Sequence, residues 1–117
     1  MKNIVLIGLS GCGKSTVGRR LARRLRLPLL DTDVMIEERT GRTIPDIFAR
    51  EGEAGFRNME TACVKEAAEK EGVVISTGGG VILREENMTA LSKNGLVVFI
   101  ESRDGVVLSG TGAAQLF

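Results

Sequence analysis

Four runs of apolar residues punctuate the chain: NIVLI at 3–7, PLL at 28–30, VVIS at 73–76 and LVVFI at 96–100. The longer runs are continuous rather than alternating. A strand apolar on both sides belongs to a parallel sheet covered on both faces, since a half-solvated strand would alternate. Stretches of helical period separate the runs. They span 14–26; 33–50, broken near Gly41 to Pro45; 53–71, where Phe56, Met59, Cys63 and Ala67 make one stripe; and 84–94. Strands alternating with helices predict an α/β fold, a doubly wound parallel sheet flanked by helices. The pattern stops near residue 101, and the remainder, ESRDGVVLSGTGAAQLF, sustains no period beyond a short strand or a frayed helix. The expected organisation is one domain over 1–101 and an atypical tail over 102–117.

Composition narrows the function classes. A chain of 117 residues with 43% hydrophobic content suits a single core. Aromatic residues make up 3%, with neither Trp nor Tyr, which leaves almost nothing to stack on bases. Residues 1–30 carry seven Lys or Arg and no acid, while the rest carries nine basic and fifteen acidic residues. Arg19, Arg20, Arg23 and Arg24 interleave with Val17, Leu21 and Leu25 at helical spacing, the pattern of a solvated helix face. No nucleic-acid partner is expected. The opening MKNIVLIGLSG is too short in apolar residues for a signal peptide, and no run reaches the length of a membrane span, so the chain reads as cytoplasmic, without a membrane partner. Cys12 and Cys63, in a chain without His, suggest reduced thiols rather than a disulfide or a zinc site.

The chemistry is concentrated in four segments. In GLSGCGKST, residues 8–16, Gly8, Gly13, Lys14 and Ser15 satisfy the phosphate-loop pattern, with a strand before and a helix after. Glycines let backbone N–H groups turn toward phosphate oxygens, Lys14 reaches the outer phosphates, and the Ser15 hydroxyl suits magnesium. The guanine-reading segment of a GTPase and the signature of a transport ATPase are both missing from the sequence. In LLDTD, residues 29–33, Asp31 and Asp33 would share one side if the strand continued to Asp33. One carboxylate could then serve magnesium and the other take the proton of an attacking hydroxyl; alternatively, Asp33 caps the following helix. In GEAGFRNME, residues 52–60, Glu60 can steer Arg57 one turn away, and Arg57 is suited to gripping a carboxylate with two hydrogen bonds, unless the two form an ordinary surface ion pair. In STGGG, residues 76–80, three glycines after a strand allow close backbone approach to a ligand, or make a wide turn.

Phosphate loop, D-T-D, G-E-x-x-F-R-x-x-E and strand followed by G-G-G, in this order, resemble shikimate kinase from about residue 3 to 101. The resemblance implies a P-loop NTPase-type sheet of the nucleoside monophosphate kinase kind. It implies ATP and shikimate as substrates, shikimate 3-phosphate as product in chorismate and aromatic amino-acid biosynthesis, and a monomer. Gly11, Cys12, Gly13, Lys14, Ser15 and Thr16 would hold ATP; Ser15 and Asp31 would serve Mg2+; Asp33, Arg57, Gly79 and Gly80 would hold shikimate. Lys14 and Asp33 would be the catalytic pair, with Asp33 on the hydroxyl to be phosphorylated. The family's Arg-bearing lid, final strand and final helix have no counterpart after Arg103. The expectation is a kinase incomplete at its C-terminus, with slow turnover, an uncovered sheet edge and a tendency to self-associate. A non-catalytic ATP-binding module, or another small-molecule kinase such as gluconate kinase, is the alternative.

Overall fold

The computed structural model describes residues 2–8, 14–102 and 105–107; for Ser15 and the residues beyond 100 it describes the backbone alone. Along the chain run β1 (Asn3–Ile7), α1 (Lys14–Leu25), β2 (Leu29–Asp31), α2 (Thr32–Thr40), α3 (Ile44–Ala68), β3 (Val74–Ser76), a 3-10 turn (Val81–Leu83), α4 (Glu85–Lys93), β4 (Gly95–Ser102) and β5 (Gly105–Val107). They build one sheet in the order β2-β3-β1-β4-β5. The first four strands are parallel and β5 is antiparallel to β4.

Successive residues of a strand face opposite sides, so a sheet covered twice needs both sets apolar. On one face Val5, Ile7, Ile75 and Val97 pack with Val64 and Ala67 of α3 and Leu91 of α4. On the other, Leu6, Val74, Val98 and Ile100 pack with Leu21 and Ala22 of α1. The arginines at 19, 20, 23 and 24 lie on the exposed side of α1, as its amphipathic pattern predicts.

Caps set the helix boundaries. Gly41 ends α2 in the left-handed conformation (φ 67°), its N–H bonded to the Glu37 carbonyl at 2.9 Å. Thr43 starts α3, its hydroxyl accepting from the Asp46 N–H at 3.3 Å, with Pro45 in the first turn. The expected interruption between 50 and 53 is a kink at Gly52 (φ 74°, ψ 177°) within α3. Ile36 of α2 packs with Ile47, Phe56 and Cys63 of α3 in a third cluster, which fastens these two helices together apart from the sheet.

At the C-terminal side the expectation of open apolar faces is not met. Val74, Ile75, Val98 and Ile100 are fully buried and Val97 nearly so. The outer edge of β4 pairs with β5 at Phe99 and Ser102. The apolar side chains of VVIS and LVVFI thus find helices on both faces. No helix among the described residues is long and apolar enough to cross a membrane.

Ile47 has no exposed surface and lies in the cluster that joins α2 to α3. Ile47→Ala should lower the unfolding free energy by about 2–5 kcal/mol through lost burial and the cavity left behind. Urea unfolding followed by far-ultraviolet dichroism measures it, and a midpoint equal to the parent's would show that this cluster does not hold the helix pair.

Candidate active site

Strand register brings the site together. Ser76 of β3 is paired with Leu6 of β1 on one side and with Asp31 of β2 on the other, so three strands share one row where β2 and β3 end and β1 has one residue left to run. The chain leaves them as Gly8, as Thr77–Gly78 and as Thr32–Asp33, all at the carboxyl edge of the sheet. β1 and β3 are neighbours whose onward connections run to opposite sides, from β1 to β2 and from β3 to β4, and between such strands lies the crevice in which parallel α/β sheets bind ligands.

On the β1 side, Lys14 opens α1 and is 8% exposed, and its ammonium donates to the Gly8 carbonyl at 2.6 Å. The ammonium is thereby held back over the end of β1 at a helix N-terminus, a position that favours anions. Thr16 is exposed in the first turn of α1, and the Ser15 backbone belongs to the same turn. Gly11, Cys12 and Gly13 lie outside the described residues.

On the β2 side the structure corrects the expected arrangement. The strand stops at Asp31, whose Oδ1 accepts from the N–H groups of Asp33 (2.9 Å) and Val34 (3.2 Å) and caps α2. Asp33 therefore neither continues the strand nor caps a helix; it stands in the first turn of α2. Because the cap satisfies two N–H donors at once, the helix begins at Thr32, one residue earlier than the apolar pattern suggests. Helical geometry, not strand alternation, aims Asp33 at the glycine segment. A Cβ added to Gly78 would lie 2.7 Å from Asp33 Oδ1 and 3.1 Å from Glu60 Oε2, so two carboxylates crowd one glycine. The Asp33 carboxyl is pushed up to about 6, first by burial and then by the negative charges of Asp31 and Glu60, against the opposing pull of Lys14.

Arg57 closes the other side. Its Nη1 donates to Glu60 Oε1 at 3.1 Å, and its Nε lies 3.5 Å from Glu53 Oε2 without making a hydrogen bond. The Glu60 side chain is 1% exposed and that of Arg57 17%, which rules out an ordinary surface ion pair. The guanidinium lies against the Gly80 backbone so closely that a Cβ there would fall 2.1 Å from Nη1. Phe48 and Phe56 stack with ring centroids 4.6 Å apart, and the Arg57 Cζ sits 5.8 and 5.2 Å from them. Aromatic faces, Glu60 and Gly80 together fix the fork at the margin of the glycine turn. Among the described residues Glu60 Oε2 has no hydrogen-bond partner although buried, so a carboxylate oxygen faces the same space as Asp33. Gly79, part-buried, completes the turn between them.

The structure thus brings Lys14, Asp31, Asp33, Arg57, Gly79 and Gly80 to one edge of the sheet. Two participants have no role in the sequence reading, Gly78 and Thr32. The first glycine of the triple and the middle residue of D-T-D were visible, but only the fold shows that they meet, through a 3.2 Å bond from the Gly78 N–H to the Thr32 hydroxyl.

Sequence and fold match known proteins. A family model described as shikimate kinase matches residues 10–112, continuing past the point near 101 where the sequence resemblance was read to stop. A shikimate kinase of Pseudomonas syringae pv. tomato is 52% identical over 102 residues, covering 87% of this chain and 59% of that protein. One from Pelotomaculum thermopropionicum is 50% identical over 107 residues, covering 92% and 62%. Among solved structures, the shikimate kinase from Acinetobacter baumannii in complex with shikimate superposes with a TM-score of 0.83 at 46% identity, over 86% of this chain and 56% of that one. The chain spans about three-fifths of the length of the curated relatives it matches. By family model, relatives and superposition alike, the chain belongs to the shikimate kinase family.

Proposed function

We propose that the chain phosphorylates shikimate to shikimate 3-phosphate with ATP, as a phosphotransferase of chorismate and aromatic amino-acid biosynthesis in the cytoplasm. The observation that carries this reading is the division of charge around one glycine turn, with the Arg57 fork against Gly80 and the Asp33 carboxylate against Gly78. A hydroxy acid spanning that turn would give its carboxylate to Arg57 and a hydroxyl to Asp33. Residues 1–101 would form the kinase domain, with 102–117 as its tail.

In this reading ATP's phosphates lie on Gly11, Cys12, Gly13, Lys14, Ser15 and Thr16, and the Lys14 ammonium neutralises the outer phosphates. Ser15 and Asp31 would hold Mg2+. The donor set fits, because hard oxygen ligands suit magnesium. When bound, the ion screens charge on the phosphates. Asp33 orients the acceptor hydroxyl and takes its proton; with a carboxyl near 6 it is ionised at neutral pH yet more basic than an ordinary aspartate. Arg57, Gly79 and Gly80 fix the remaining face of shikimate.

Calorimetry on the full chain should find that Lys14→Ala weakens ADP, while Arg57→Lys weakens shikimate by about 1.5–3 kcal/mol and leaves ADP unchanged, because lysine keeps the charge but loses the second of two parallel hydrogen bonds to a carboxylate. Equal loss of both ligands in Arg57→Lys would count against its assignment to the carboxylate.

Asp33 yields a paired expectation. Its carboxyl, raised in the folded protein from 3.8 to about 6, binds a proton more tightly folded than unfolded. Stability of the metal-free protein therefore declines as pH rises through that window and levels off above it. Asp33→Asn removes the buried charge and should raise the melting temperature at pH 8, while lowering shikimate-dependent ADP release by roughly a hundredfold or more. In the parent, ADP release should fall as the pH is lowered and Asp33 takes up a proton. A variant that is both active and no more stable would remove Asp33 from the role of base.

A further inference from the structure

Thr32 has no exposed surface. It is the first residue of α2, between the capping Asp31 and Asp33, yet its hydroxyl takes no part in the cap: both cap bonds go to Asp31. The Thr32 oxygen instead accepts the buried Gly78 N–H at 3.2 Å, joining residues 46 positions apart. The neighbouring residue is held from the opposite side. Thr77 directs both its hydroxyl (2.7 Å) and its N–H (3.2 Å) to the Leu6 carbonyl, two residues before the Gly8 that holds Lys14. The start of the glycine turn is thus tied to the end of β1 through Thr77 and to the start of α2 through Thr32. It already runs at contact distance from Asp33 and Glu60, since even a methyl group on Gly78 would overlap their oxygens.

We propose that Thr32 is a positioning residue of the acceptor site: its hydroxyl holds Gly78 against the Asp33 carboxylate and thereby sets the height of the Gly79–Gly80 turn beneath Arg57. The inference rests on the reading of this turn as the shikimate site. Thr32 touches no substrate and acts through Gly78. Valine has nearly the shape of threonine but no acceptor, so Thr32→Val leaves a buried N–H unpaired and favours any shift of the turn that restores a partner. A displacement of about 1 Å between reacting groups is enough to cost on the order of a hundredfold in rate.

Three full chains, the parent, Thr32→Val and Thr32→Ser, decide the matter by calorimetry with shikimate and with ADP, and by amide hydrogen exchange at Gly78 without ligand. Thr32→Val should bind shikimate roughly tenfold more weakly, bind ADP as the parent does, and exchange the Gly78 amide faster while amides of β1 and β3 keep their protection. Thr32→Ser, which retains the hydroxyl, should restore all three readouts. A Thr32→Val chain that matches a shikimate-binding parent in affinity or in Gly78 protection overturns the inference, as does a parallel loss of ADP and shikimate, the mark of a general packing role. A parent that binds ADP but no shikimate overturns the reading of the acceptor site and the inference with it, an outcome distinct from the others because it appears before any substitution.

Discussion

The parallel pairing of Leu6 with Ser76, and of Ser76 with Asp31, sets three strands in a single row where β2 and β3 end and β1 has one residue left to run. Two residues beyond Leu6, Ser76 and Asp31 stand Gly8, Gly78 and Asp33, so the phosphate-side anchor, the glycine turn and the acidic group all issue from the same edge at the same height. A slip of one residue would turn the inward and outward sets of side chains over, exposing one apolar set to the wrong layer. Packing against α1 on one face and against α3 and α4 on the other forbids that slip. The geometry of the site is therefore held by the same burial that stabilises the fold.

Charge at this edge is unevenly compensated. Glu60 satisfies one oxygen on Arg57 and leaves the other buried without a hydrogen bond among the described residues, while Asp31 spends an oxygen on the α2 cap. With Asp33 between them, negative charge gathers in a poorly solvated space, and the Asp33 carboxyl rises accordingly. The arrangement costs stability and raises basicity, a combination typical of groups held ready for proton transfer. Surface ion pairs elsewhere, such as Lys65 with Glu86 at 3.2 Å, are half-exposed and contribute little by comparison.

Much of this was legible in the chain. Continuous apolar runs foretold a sheet buried on both faces, because burial of successive side chains on opposite sides demands it. The strand before the glycine loop and the helix after it, the break at Gly41 and the stripe of Phe56, Met59, Cys63 and Ala67 are local patterns with local causes, and each appears where its spacing placed it; residues 9–13 of the loop lie outside the described residues. D-T-D was legible as chemistry but not as geometry: whether its second Asp lay on a strand or a helix depended on which carboxylate won the competition for the free N–H groups, and Asp31 did.

Tertiary structure alone decided what happens between distant segments. Arg57 and Glu60, one helical turn apart, could have been a solvated pair; packing beneath the glycine turn buries them and converts a common spacing into a fixed guanidinium. Pairing of β5 with β4 was equally invisible, because edge pairing depends on a partner rather than on period. The bond from Gly78 to Thr32 spans 46 residues and has no signature in either segment. Sequence by itself determined the elements and the kinds of chemical group, since helix period, strand burial and capping act over a few residues. Which groups share a desolvated space, and hence which become basic or immobile, was decided by the fold, since desolvation is a property of everything that surrounds a side chain.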